Sequence, residues 1–363
     1  MWAATCTLLL ASIEDNQAFA GPPLFVTNNL TNNHAGGRLL EYDGSTGQFV
    51  QLIDNVSTPR GIVVGPNGNL FVASANEDRV LEYDFDNGLQ PTTFVEANDG
   101  GLESPHGVTF GPDGNLYVTS FRQELTVYRF DGETGAFVDK FASYPLEHGL
   151  GRDLVFGPDG DLYVSTVFLG VFRFDGESGE PLGSFVSGDA LGPIAGITFG
   201  PDGDLYAAAS DLDAVLRFDG ETGEFVDTFV PAGAGGLNEP HGIGFGPDGN
   251  FYVASAFGDA ILRYDGKSGA FLDTFASDSL DVPLFFVFVP EPTCLMLTLI
   301  GACASIALRS KSARTPSLAP KRIRKRGPTP GNRWNSGSFT VTCCGPDVSS
   351  TCDMVAGAAV VHV

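Results

Sequence analysis

The sequence predicts an all-β fold, a six-bladed β-propeller with one blade closed by the N- and C-terminal strands. Two internal repeats, and the mismatch in their numbers, carry that prediction. The tetrapeptide Gly-Pro-Asp/Asn-Gly begins at Gly65, Gly111, Gly157, Gly200 and Gly246, at spacings of 46, 46, 43 and 46 residues. A second turn, Asp-Gly-x-Ser/Thr-Gly, recurs at 43–47, 131–135, 175–179, 219–223 and 265–269, with a looser copy at 84–88. Four short apolar runs per period, punctuated by glycine turns, are the pattern of a propeller blade.

In chain order, the region 23–289 begins with a strand near Leu24 that has no Gly-Pro-Asp/Asn-Gly tetrapeptide before it. Five complete repeats come next. Six copies of the second half therefore stand against five of the first, so one blade is divided between the chain ends. Residues 282–289 (VPLFFVFV) supply its missing inner strand, because their Pro-x-x-x-x-Phe spacing overlays 105–110 (PHGVTF) and 240–245 (PHGIGF). Pairing beside 24–27 removes two exposed sheet edges at once. Within each turn, Pro presets φ and the following Asp/Asn-Gly tolerates positive φ, so the glycines are structural. A phosphate loop would need a helix opening on Lys-Ser/Thr, and no copy leads into one. Calcium needs about six to eight oxygens, more than one turn supplies. Alternation in 80–83, 215–218 and 261–264 adds strand periodicity, and nothing in the repeats runs at the helical period.

Charge separates the repeats from the C-terminal segment. Residues 1–292 carry a formal charge near −31 and residues 293–363 near +7, in a chain of net −24. So acidic a surface repels nucleic acid, and no nucleic-acid partner is expected. All six cysteines lie outside the repeats, and a core of this size needs no disulfide.

Residues 1–20 end in Ala18-Phe19-Ala20 and resemble a secretory signal peptide, although Glu14 and Asp15 interrupt it and no Lys or Arg precedes the apolar run. At 289–314, Val289-Pro290-Glu291-Pro292 precedes an apolar stretch at 293–308 and then Arg309, Lys311 and Arg314. This resembles the PEP-CTERM sorting signal. The resemblance implies a transmembrane helix over 293–308, a cytoplasmic basic cluster, and handling by exosortase-type sorting machinery. It also implies transient anchoring at the surface, or release to the extracellular matrix, of a Gram-negative-type bacterium. The basic stretch 315–363 has no clear period and reads as disordered; it is either a frameshift or read-through product, the favoured reading, or the sign of a decayed sorting signal.

Chemistry in a propeller belongs at the central channel. Aligning the six inner-strand starts places Arg60, His106, Arg152, Ala195, His241 and Leu284 at one equivalent position, with His106 and His241 opposite each other. His148 lies four residues before Arg152. Three roles stay open: a turn with a satisfied imidazole, metal ligation by His106, His241 and His148, and direct anion or acid–base work. The aligned ends of the second strands carry Asn28, Ser74, Ser120, Thr166, Ala209 and Ser255.

The blade consensus P-x-G-[IV]-x-F-G-P-D-G-[ND]-L-Y-V, with the later R-[FY]-D-G-x-[ST]-G, resembles NHL-type propellers of the TolB-like superfamily, which includes gluconolactonases and streptogramin lyase. The resemblance covers about 23–289. From the peptidyl-hydroxyglycine lyase propeller it implies zinc on His106, His241 and His148; calcium is the alternative divalent cation. Arg60 or Arg152 would then be the substrate-polarising, catalytic group. The expected function is an exported, surface-anchored binding or display module for a small-molecule, glycan or protein ligand. The alternative is a metal-dependent lyase or lactone hydrolase.

Overall fold

A computed structural model describes residues 21–290, apart from 31–32, 122–123, 146–149 and 188–190, together with three strands between residues 340 and 361. Among the described residues, six four-stranded antiparallel sheets form the blades. The inner strands are Val282–Phe288 in blade 1, then Pro59–Val64, Pro105–Phe110, Gly151–Phe156, Ile194–Phe199 and Pro240–Phe245 in blades 2 to 6. Each inner strand contacts its neighbours on both sides, and the sixth meets the first, so the ring closes.

Closure agrees with the divided-blade expectation. Leu24–Leu30 pairs antiparallel with Val282–Phe288, in a register running from Leu24 with Phe288 to Thr27 with Phe285. The backbone N–H of Val289 then donates to the Pro23 carbonyl at 2.9 Å.

The second strand of each complete blade (Leu70–Ser74, Leu116–Ser120, Leu162–Thr166, Leu205–Ala209 and Phe251–Ser255) is buried at every position. Both of its faces meet neighbouring sheets, which is why its sequence is a continuous apolar run instead of an alternation. Its aromatic side chain also joins blades. Tyr163 packs edge-on against Phe185 of its own blade and Phe199 of the next, each at 4.9 Å between ring centres. Tyr117, Tyr206 and Tyr252 repeat the arrangement. Each such ring contributes about 2–3 kcal/mol by burial.

The turn aspartates have structural work. Tyr117, Tyr163, Tyr206 and Tyr252 donate their hydroxyls to Asp113, Asp159, Asp202 and Asp248 of the Gly-Pro-Asp-Gly turns at 2.8–3.0 Å. Arg173 bridges Asp159 and Asp161, both at 2.7 Å, and Arg129, Arg217 and Arg263 each reach two or more carboxylates. In the second turn the aspartate accepts from its own loop: Asp131 takes the Thr134 amide at 2.8 Å and its hydroxyl at 2.7 Å. These carboxylates are engaged as hairpin locks.

The chain divides into two compact units, Met1–Leu297 and Thr298–Val363. The second unit contains a three-stranded antiparallel sheet, Thr340–Gly345, Val348–Val355 and Ala358–Val361. In these strands Val341, Thr342, Val348, Val360 and Val361 favour extended backbone. Residues 1–20, Glu291, Pro292 and the 293–308 segment lie outside the described residues. Among the described residues no helix is long and apolar enough to cross a membrane.

Candidate functional site

The site begins with an irregularity repeated in every blade. Pairing of the inner strand with the second strand runs from Pro59 with Ser74 and resumes at Ile62 with Val72, leaving one residue in excess. The same slip falls between Pro105 and Val108, Gly151 and Leu154, Ile194 and Ile197, and Pro240 and Ile243. In blade 1 it brackets Leu284. Such a bulge takes a side chain out of the ladder and re-aims it. The bulged positions are those aligned from sequence: Arg60, His106, Arg152, Ala195, His241 and Leu284.

Close packing of the ring fixes the residue after the bulge. Gly107 faces the Arg152 carbonyl, which a Cβ would meet at 2.6 Å. Gly61, Gly196 and Gly242 stand likewise against His106, His241 and Leu284. Hydroxyls hold the bulged carbonyls: Thr27 donates to Arg60 at 2.8 Å, Thr119 to Arg152 at 2.9 Å and Ser165 to Ala195 at 2.6 Å. Ser74, Ser120 and Ser255 fasten the preceding loops through the carbonyls of Ser57, Glu103 and Asn238. The second-strand ends are thus occupied by structure.

Blade 4 has Asp153 where four blades have glycine. Its carboxylate accepts from the Leu154 amide at 2.9 Å and, across the blade boundary, from Ile197 at 3.0 Å. Burial outweighs those two bonds and pushes its pKa up to about 7.

Arg60, His106, Arg152 and His241 lie within electrostatic reach of one another. His106 is buried and stacks on Phe121, 4.7 Å between ring centres at 25°. Desolvation, then the charges of Arg60, Arg152 and His241, hold its pKa well below the usual histidine value. His241 is also buried, with Nε2 3.3 Å from Glu239 Oε1. Desolvation leads again and lowers it to about 4, against the opposing effect of Glu239. Both imidazoles are therefore neutral near pH 7, and the His241–Glu239 contact is there a hydrogen bond from Nε2–H to a carboxylate. Nδ1 of each ring is buried with no partner among the described residues.

Arg60 and Arg152 are half-buried. Nε of Arg60, and Nε and Nη1 of Arg152, are buried without a hydrogen-bond partner. Burial, then repulsion from Arg152, lowers Arg60 to about 10. Burial also lowers Arg152, with Glu239 and Asp211 opposing.

The structure thus brings together four of the residues chosen from sequence, whereas His148 lies outside the described residues. Two imidazoles fall short of the three protein ligands of a catalytic zinc, and among the described residues no three His, Cys, Asp or Glu converge on a metal position. Sequence reasoning missed Phe121, Asp153, Asp211 and Glu239. Asp153 had a signal, being acidic where aligned blades have glycine. Glu239 had none, because backbone geometry places it: its φ is 51° and its amide donates to Asp213 at 2.8 Å.

Other openings lie at the turns. Clefts of 510 Å³ between blades 4 and 5 and 610 Å³ between blades 2 and 3 are lined by the turn carboxylates.

No protein-family model matches the chain, and no curated protein matches it in sequence. Among solved structures, it is similar to a catalytically inactive variant of virginiamycin B lyase from Staphylococcus aureus bound to quinupristin. That match has 14% identity, covers 76% of this chain and 91% of that one, and gives a TM-score of 0.53. A protein of unknown function from Bacteroides caccae matches at 14% identity over 75% and 100% of the two chains, with a TM-score of 0.58. At such identities the likeness is one of fold, and what this chain shares with these proteins is the β-propeller architecture.

Proposed function

We propose that the chain is an exported, surface-anchored propeller that binds its ligand at the channel mouth, where the six inner strands begin. One observation carries the binding reading. Four basic side chains are aimed by bulges into one place, and five of their buried nitrogens lack partners. Such groups are costly in an unliganded protein and are the usual material of a recognition site. The anchoring part rests on Val289-Pro290-Glu291-Pro292, which directly follows the closing strand, and on the apolar and basic segments beyond it.

A second reading, a metal-dependent lyase or lactone hydrolase, is favoured by His106 and His241. A neutral imidazole is the form that ligates metal, and the chain shares its fold with a lyase. Elemental analysis of the full chain after exposure to zinc and calcium and exhaustive dialysis separates the readings, with a His106→Ala/His241→Ala variant alongside. Binding without catalysis predicts no retained metal. Near-stoichiometric zinc that disappears in the variant would overturn that prediction and make the lyase reading the better one.

A further inference from the structure

The protein treats its arginines in two ways. In the blades, Arg129, Arg173, Arg217 and Arg263 each meet two or more aspartates. At the channel, Arg60 and Arg152 make no ion pair among the described residues, although acidic side chains outnumber basic ones 44 to 20. The nearby acids Glu239 and Asp211 act on Arg152 through space without forming an ion pair with it. Glu239 is engaged by His241.

Two guanidiniums held near each other with buried, partnerless N–H groups form a receptor for an oxyanion, since the planar fork matches the oxygens of a carboxylate or phosphate. The neighbouring His106 ring suits the same guest. Nδ1 of His106 is partnerless and donates to an anion in the Nδ1–H tautomer, whereas His241, whose Nε2–H is spent on Glu239, does not hold the anion's oxygens; the His106–Phe121 stack offers an apolar face. Resting on the reading of the channel mouth as the binding site, we infer that its ligand is a small organic oxyanion, with a carboxylate or phosphate group seated between Arg60 and Arg152 and its body against His106 and Phe121.

The test is calorimetric titration of the full chain with inorganic phosphate and with acetate, at constant ionic strength against chloride. The same titrations are run on Arg60→Met and Arg152→Met. At least one anion should bind saturably to the wild type, and each variant should lose about tenfold or more in affinity. Tighter phosphate binding identifies a phosphate group, and tighter acetate binding a carboxylate. No saturation by either anion up to about 50 mM, or equal binding in both variants, overturns the inference. Neither variant breaks an ion pair, so melting in chloride should be unchanged or higher. Should one fail to fold, the wild-type His106 and His241 ring signals must follow the anion with one common midpoint, and signals that do not move count against the proposal. Zinc retention that depends on the two histidines would leave the channel-mouth site standing even if no anion bound, so the two claims fail separately.

Discussion

Asp153 and the two channel histidines give the molecule opposite pH sensitivities. The pKa of Asp153 is raised from 3.8 to about 7, so the folded state holds the Asp153 proton more tightly than the unfolded chain does. That advantage is complete below pH 3.8 and is lost as pH rises to 7. Asp153→Asn should remove this dependence. The stability difference between variant and wild type, from urea melts at pH 4 and pH 7.5, should shift toward the variant by at most about 4 kcal/mol. A difference that does not vary with pH would mean that Asp153 is ionised and solvated. His241 behaves in the other sense: with its pKa lowered from 6.5 to about 4, its contribution is full above pH 6.5 and is lost as pH falls to 4. His241→Gln should therefore hold its stability better than the wild type between those values, by up to about 3 kcal/mol.

At the level of the element, the two turns of a blade look equally glycine-rich but are constrained differently. Gly114 and Gly135 in blade 3 both have positive φ, 80° and 72°. A Cβ at Gly114 would meet nothing within 4 Å, whereas one at Gly135 would overlap the Phe94 carbonyl of the preceding blade. Gly114→Ala should cost about 1 kcal/mol from backbone strain alone, and Gly135→Ala about 2–4 kcal/mol, as thermal unfolding would show. Similar losses at both sites would contradict a blade-to-blade contact at the second turn. The strands, the turns and the divided blade were legible from the repeats, because each blade restates the same packing problem. The aligned channel positions were legible for the same reason. What escaped was anything set by geometry between blades: the bulge, the placing of Glu239 by a left-handed backbone, and Phe121 against His106. Short motifs do not encode those relations.

For the whole molecule, ring closure and the channel are one structure, since the bulged carbonyls of each blade rest on a neighbour. Deleting 282–289 removes the inner strand of blade 1 and exposes the edges of Leu24–Leu30 and its neighbours, so aggregation or a sharply lower melting temperature should result. Unchanged melting would refute the divided blade. The claim that this ring assembles a buried basic receptor at its centre is tested most directly by NMR titration of the histidine ring protons in the full chain, with and without about 20 mM phosphate. The account predicts that His241 stays neutral down to about pH 4, that His106 stays neutral through the ordinary histidine range, and that phosphate moves both signals. Titration of both rings near pH 6.5, indifferent to phosphate, would contradict it.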